Sequence, residues 1–339
     1  MSFSTHGHKR PAPAEPTDMP KSGWVAILKR ALQQFSHDDV TDRAAALTYF
    51  GVLAMFPGAL VLVSVLGLLG RSSTDKVLNN LGQVAPGAVK SFLNTVVEQV
   101  QGRTGSASIG AIVGLLLAFW SASGYVAAFM RAGNAIYEVD EGRPIWKTIP
   151  VRILVTLALV VMLLAALVIV VVTGPIAHQV GQALGIGHTA VLVWDVAKWP
   201  VLLVIVSLMF SLLYQATPNV QQPRWRWVTP GGVIAVVIWL IVSGLFALYV
   251  SFSSSYNKTY GTLATVIIFL VWLWLTNISM LLGLEFNAET QRQRAILAGM
   301  PADLEPFAPL RDTRKLDEPE RAEAEHAAEV RRRTMSRHD

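Results

Sequence analysis

A run of 26 residues without a charge, AAALTYFGVLAMFPGALVLVSVLGLL from Ala44 to Leu69, limits what this chain can become. As one helix it would be roughly 39 Å long, against a bilayer core about 30 Å thick. It can therefore span with tilt, or span with a break. Pro57-Gly58 near its middle marks the candidate break, because Pro57 has no N–H for the carbonyl four residues back. A carbonyl freed in lipid needs a neighbour, so this helix should face protein or a wet cavity there.

Five further apolar runs follow, near residues 108–130, 151–173, 190–213, 230–252 and 262–284. Each has the roughly 20 residues of a spanning helix. The expected fold is all-α: a polytopic membrane protein with six transmembrane helices. Only 15% of residues are charged, and they gather at the ends and in short gaps. Of the 28 Lys and Arg, 22 fall on segments that would share a side with both termini. The positive-inside rule then places both termini in the cytoplasm. The same rule accounts for the net charge of +5 without a nucleic-acid partner.

The flanks divide the chain further. Residues 1–21, with four prolines, read as a disordered cytoplasmic tail. Residues 22–43 follow, in which Trp24, Ile27, Leu28, Ala31, Leu32 and Phe35 recur at helical spacing. They form an N-terminal interfacial helix, or one packed on the bundle; both readings stay open. Residues 44–290 make the six-helix domain, and 291–339 a polar cytoplasmic tail, partly helical. The loop between the first two spans carries two amphipathic stripes around Pro86-Gly87, an outer helical loop.

The chemistry-bearing residues sit at the edges of the spans. Ser36-x-x-Asp39 has capping-box spacing, so Asp39 reads as a cap or as part of a charged gate. The second span ends Trp120-Ser-Ala-Ser, then Arg131-Ala-Gly-Asn134 and Tyr137, followed by Arg143, Lys147 and Arg152. This basic edge is snorkelling cations under a positive-inside bias, or a site for an anionic headgroup or solute. Glu285 ends the last span and is expected to pair with Arg131 or Arg152, or to bind a proton. Cysteine is absent, and the seven histidines show no metal-ligand spacing. No P-loop and no G-x-S-x-G elbow is present, so no enzyme, no cofactor and no metal is expected.

Three motifs in this order resemble the YihY/virulence factor BrkB family, once labelled ribonuclease BN. They are AAALTYF…FP in the first span, W-S-A-S…R-x-x-N…Y…R-P around the second, and Y-G-T…W-L…L-L-G-x-E-F-N around the sixth. The resemblance covers roughly residues 24–290 and implies a bacterial inner-membrane protein of the envelope, without an established reaction. Carried over by the motifs are Ala46, Leu47, Thr48, Tyr49, Pro57, Trp120, Arg131, Asn134, Arg143, Tyr260, Gly261, Trp272 and Glu285. The expected function is translocation of lipid or a small anionic solute without an ATP site; the alternative is a non-transporting envelope scaffold or regulatory membrane protein. In the first, Arg131 and Arg143 attract the anion, Tyr49 and Asn134 line its path and Pro57 sets a bend. Membrane lipids are the expected partners, with self-association left open.

Overall fold

The structure is a computed structural model that describes residues 18–68, 107–171, 188–223, 225–252 and 262–335. The outer loop, Tyr260, Gly261 and the first 17 residues lie outside the described residues. Among the described residues there are eight helices and no strand beyond one antiparallel bridge, Val220 to Leu310. They are α1 (Lys21–His37), α2 (Val40–Leu68), α3 (Ala107–Ile136), α4 (Ile145–Val171), α5 (His188–Ala216), α6 (Trp225–Phe252), α7 (Thr262–Leu297) and α8 (Glu318–Met335).

Four of them, α4 to α7, contain stretches long and apolar enough to cross a membrane. They leave large apolar side chains uncovered on their outer faces, among them Leu154, Val161, Val204, Ile241 and Leu245. In water that surface would drive association; in lipid it is the matching solvent. The helices α2 and α3, of 29 and 30 residues, stand beside them. Neighbours in sequence pack together from α2 to α3, α3 to α4, α4 to α5, α5 to α6 and α6 to α7. Contact of α7 with α2 then closes the ring. α2 is one unbroken helix through position 57, so the chain keeps its helical course at Pro57-Gly58.

A polar bridge ties the bundle across its middle. Asn277 of α7 donates to Thr48 of α2 at 3.0 Å and accepts from the Tyr125 hydroxyl of α3 at 2.7 Å. The Thr48 hydroxyl itself donates to the Ala44 carbonyl at 2.8 Å. Such interhelical bonds hold helices together where lipid offers no hydrophobic drive.

The helix α1 packs on the second half of α7. Gly23, Ile27 and Ala31, four residues apart, make its buried stripe, and the Trp24 ring stacks on Phe286 with centroids 5.8 Å apart. A second apolar stripe, Val25, Leu28 and Leu32, stays exposed. α1 therefore packs on the bundle and still presents an apolar face outward.

The final helix of the ring exceeds its expected end near residue 284. Its 36 residues rise about 54 Å, well beyond a core of about 30 Å. Asn287, Ala288, Glu289, Thr290 and Gln293 are buried rather than solvated. The chain then folds back: residues 301–317 strap across the α3–α4 and α5–α6 loops, so both described ends of the chain lie at this one end of the bundle.

Candidate functional site

The predicted residues separate into three places. The first is a cationic patch on α2, α3 and α4. Arg131 is exposed, with its guanidinium over the Phe50 ring at 5.6 Å. Phe50 meets Tyr49 edge-on at 5.4 Å. Arg152 of α4 reaches α3, where its Nε and Nη2 donate to the Ser123 hydroxyl at 2.9 and 2.6 Å. Its guanidinium lies over the Trp120 ring at 4.9 Å. The two arginines are near enough to repel one another, and no carboxylate among the described residues pairs with either. Trp120 and Tyr49 stand 63% and 62% exposed beside them. Two cations on aromatic faces, one exposed and one half-buried, with no carboxylate among the described residues to neutralise them, suit an anion carrying several oxygens.

The second place is a closed polar clasp. Arg143 is buried and forks onto Glu141, with Nε and Nη2 each at 2.7 Å, while Nη2 also donates to the Thr217 carbonyl at 2.7 Å. Burial alone would push the Glu141 carboxyl up, but the hydrogen bonds and charge of Arg143 hold it below the usual range. Asn134 donates to Glu141 at 3.1 Å and accepts from the Asn219 N–H at 2.7 Å. Asn219 in turn donates to the carbonyls of Asp140 and Asp312. Lys147 and Arg314 close on the Asp312 carboxylate at 2.7 and 2.9 Å. The strap comes so near that a Cβ on Gly142 would run into the Asp312 carbonyl. Arg143 and Asn134 are thus occupied in holding loops to tail.

The third place surrounds Glu285, which is 1% exposed. It pairs with neither Arg131 nor Arg152, which sit on the patch above. Its neighbour is the carboxyl of Asp38, itself buried, within hydrogen-bonding reach. Each carboxyl leaves one oxygen, Asp38 Oδ2 and Glu285 Oε2, without a donor. Burial pushes the Asp38 carboxyl up; a bond to His37 opposes this, and the charge of Glu138 adds to it. Asp39, the acid singled out by its capping spacing, is exposed, and its backbone is left-handed with φ 48°. That corner between α1 and α2 turns Asp38 inward.

Sequence reasoning placed Tyr49, Trp120 and Arg131 on one patch only in part, and missed Phe50 as the ring that carries the cation. Arg152 was legible as one more basic residue, not as the partner of Trp120 and Ser123. Asp38 and Glu285 lie too far apart in sequence for spacing to reveal them. Among the described residues no group of three His, Asp or Glu is placed to hold a metal ion.

The family described as Virulence factor BrkB matches residues 31–304. A "Putative ribonuclease-like protein YfkH" of Bacillus subtilis is 30% identical over 80% of this chain and 98% of its own length. A "UPF0761 membrane protein" of Alkalilimnicola ehrlichii is 29% identical over 75% of this chain, which spans only 56% of that longer protein. The "UPF0761 membrane protein IL2447" of Idiomarina loihiensis is 28% identical over 76% of this chain and 88% of its own length. No solved structure matches the chain.

Proposed function

We propose, from the premise that this chain belongs to the virulence factor BrkB family, that it moves anionic lipid between the leaflets of the bacterial inner membrane. In this reading α2 to α7 are six spanning helices, α1 lies at the cytoplasmic headgroups and both termini are cytoplasmic. The charge count along the chain and the meeting of both described ends at one end of the bundle support that orientation. The reading is of a translocator with no ATP site of its own, not of an enzyme.

The observation that carries the proposal is the Arg131–Arg152 patch. Cations near a bilayer are costly and normally turn inward or pair. These two have no carboxylate partner among the described residues: Arg131 is exposed over Phe50, and Arg152 is half-buried over Trp120 and bonded to Ser123. A headgroup phosphate supplies the missing charge and enough acceptor oxygens for both forks. Tyr49 and Trp120 suit the headgroup level.

The test uses the purified full chain in liposomes containing labelled phosphatidylglycerol or labelled phosphatidylcholine. Movement between leaflets is followed by quenching of the outer label. The Arg131→Ala/Arg152→Ala variant should slow the anionic lipid about tenfold, equivalent to about 1.4 kcal/mol. Equal rates in variant and wild type would discard the patch as the entry site. Absence of movement for either lipid would remove translocation and leave the second reading, an envelope scaffold, which the docked tail strap and the exposed stripe of α1 favour.

A further inference from the structure

At the corner where α1 turns into α2, two acids from distant parts of the chain meet in a dry place. Asp38 is 6% exposed and Glu285 1%. Their carboxyls lie within hydrogen-bonding reach of one another, yet each has an oxygen without a donor. Two ionised carboxylates cannot satisfy each other, since each only accepts. Burying an unpaired charge is costly, and burying two side by side is worse.

The surrounding charges do not relieve them. From α1, Arg30 is committed to Glu289 and to the Gln293 side chain at 2.6 Å. His37 Nδ1 is 3.2 Å from Asp38 Oδ1, with its ring mostly exposed. From the start of α2, Arg43 Nε donates to the Asp38 backbone carbonyl at 2.7 Å, not to its carboxyl. From α7, Arg292 is taken by Glu138, Glu289 and Glu305. The α3–α4 loop adds Glu138, which faces Asp38, and Tyr137, whose hydroxyl donates to Gln222 at 3.2 Å. So the charged groups that bear on the pair are Glu138 and Glu289 on the negative side. Arg30, Arg43, Arg292 and His37 stand on the positive side, and each arginine is already directed elsewhere.

One added proton resolves the conflict. Placed between the two carboxyls it gives one a donor and the other a partner, and it removes one buried charge. We propose that Asp38 and Glu285 form a proton-binding site, one proton shared by two carboxyl groups, that joins the α1–α2 corner to α7. The exchange is simple: the pair takes one proton from the cytoplasmic end of the bundle and returns it there as a carboxylic acid becomes a carboxylate. The site stands apart from the arginine patch, so it holds or fails independently of lipid movement.

The experiment is infrared difference spectroscopy on the full chain in detergent, titrated with acid and base, for wild type, Asp38→Asn and Glu285→Gln. The amides keep the shape and add a donor, so folding is expected to survive. The wild type should show a protonated carboxyl band at neutral pH that shifts in heavy water and that moves in frequency or is lost in each variant. A band present in wild type and unchanged in both variants would overturn the assignment. So would its absence at neutral pH, together with thermal stabilisation by sodium or calcium chloride that both variants lose, since the pair would then hold a metal cation. If a variant does not fold, the wild type alone decides. A shared proton lost at higher pH makes melting temperature fall as pH rises above the ordinary carboxylate range. A melting temperature flat across that range would refute the proposal.

Discussion

Arg131 and Arg143 look alike in the sequence, and the structure gives them opposite work that stability measurements can separate. Arg143→Ala deletes three bonds of 2.7 Å, two to Glu141 and one to the Thr217 carbonyl. Removing one partner of a buried pair costs about 3–5 kcal/mol. Glu141 keeps 28% of its side chain exposed and recovers hydration, which lowers that part of the loss. The orphaned Thr217 carbonyl restores about 1 kcal/mol of the cost. The net expectation is about 3 kcal/mol. Arg143→Lys should lie between, because an ammonium cannot fork onto both carboxylate oxygens. Arg131→Ala loses one cation–π contact with Phe50, worth about 0.5–1 kcal/mol at an exposed position.

The assay is unfolding of the purified chain in mixed detergent micelles by increasing denaturing detergent, read by tryptophan fluorescence. The expected order of stability is wild type, then Arg131→Ala close behind, then Arg143→Lys, then Arg143→Ala. If Arg131→Ala destabilises as much as Arg143→Ala, the patch is structural and its availability to an anion is lost. Should Arg143→Ala stay within about 0.5 kcal/mol of wild type, the change of a neutral surface position, the clasp does not hold loops to tail.

Two further outcomes follow from the same geometry. The bonds from Arg314 and Lys147 hold the Asp312 carboxyl below its usual range, so its contribution is present above ordinary carboxylate values and lost as pH falls through the depressed one. Asp312→Asn should mimic that loss at neutral pH: hydrogen exchange at residues 311–316 rises while α4 to α6 are unchanged, and unaltered exchange there would count against the strap. Asn277→Leu removes the bonds to Thr48 and Tyr125 and should cost about 1–2 kcal/mol, near the upper end for hydrogen bonds between helices in membranes. A variant as stable as wild type would mean that packing alone joins α2, α3 and α7.

The apolar runs declared the long helices because lipid leaves the backbone few other solutions. What stayed hidden depended on pairing across the chain. The polar turn from Asn287 to Gln293 looks like the start of a solvated tail. In the fold it is the buried flank of α7, because Arg30 of α1 arrives to bind Glu289 and Gln293. Polarity says that a side chain needs partners; it does not say whether water supplies them. Asp38 and Asp39 are adjacent and chemically alike, and only the left-handed backbone at Asp39 sends one into the protein and the other out. Arg143 had its partner two residues away in Glu141, a local signal, but the loop conformation that closes the fork also requires Thr217 from another loop. Trp120 and Arg131 were visible as an interfacial edge; their pairing with Arg152 and Phe50 is set by how α2 and α4 flank α3.

One helix connects these places. α7 carries Asn277 at mid-bundle, Glu285 beside Asp38, Glu289 and Gln293 under α1, and Arg292 against Glu138 and Glu305. These contacts lie along one helix of 36 residues, so Glu285 shares a single element with the groups that hold α1, the α3–α4 loop and the tail. The arginine patch has no direct bond to α7 among the described residues. It is reached through α3, whose Tyr125 is held by Asn277 and which also carries Ser123 and Arg131. If the proton site and the patch act on one another, Tyr125→Phe must weaken the link while leaving both ends intact. The infrared carboxyl band would then persist, lipid movement would persist, and the pH dependence of that movement would disappear. Retention of the full pH dependence in Tyr125→Phe would show that the two sites are independent devices on one bundle.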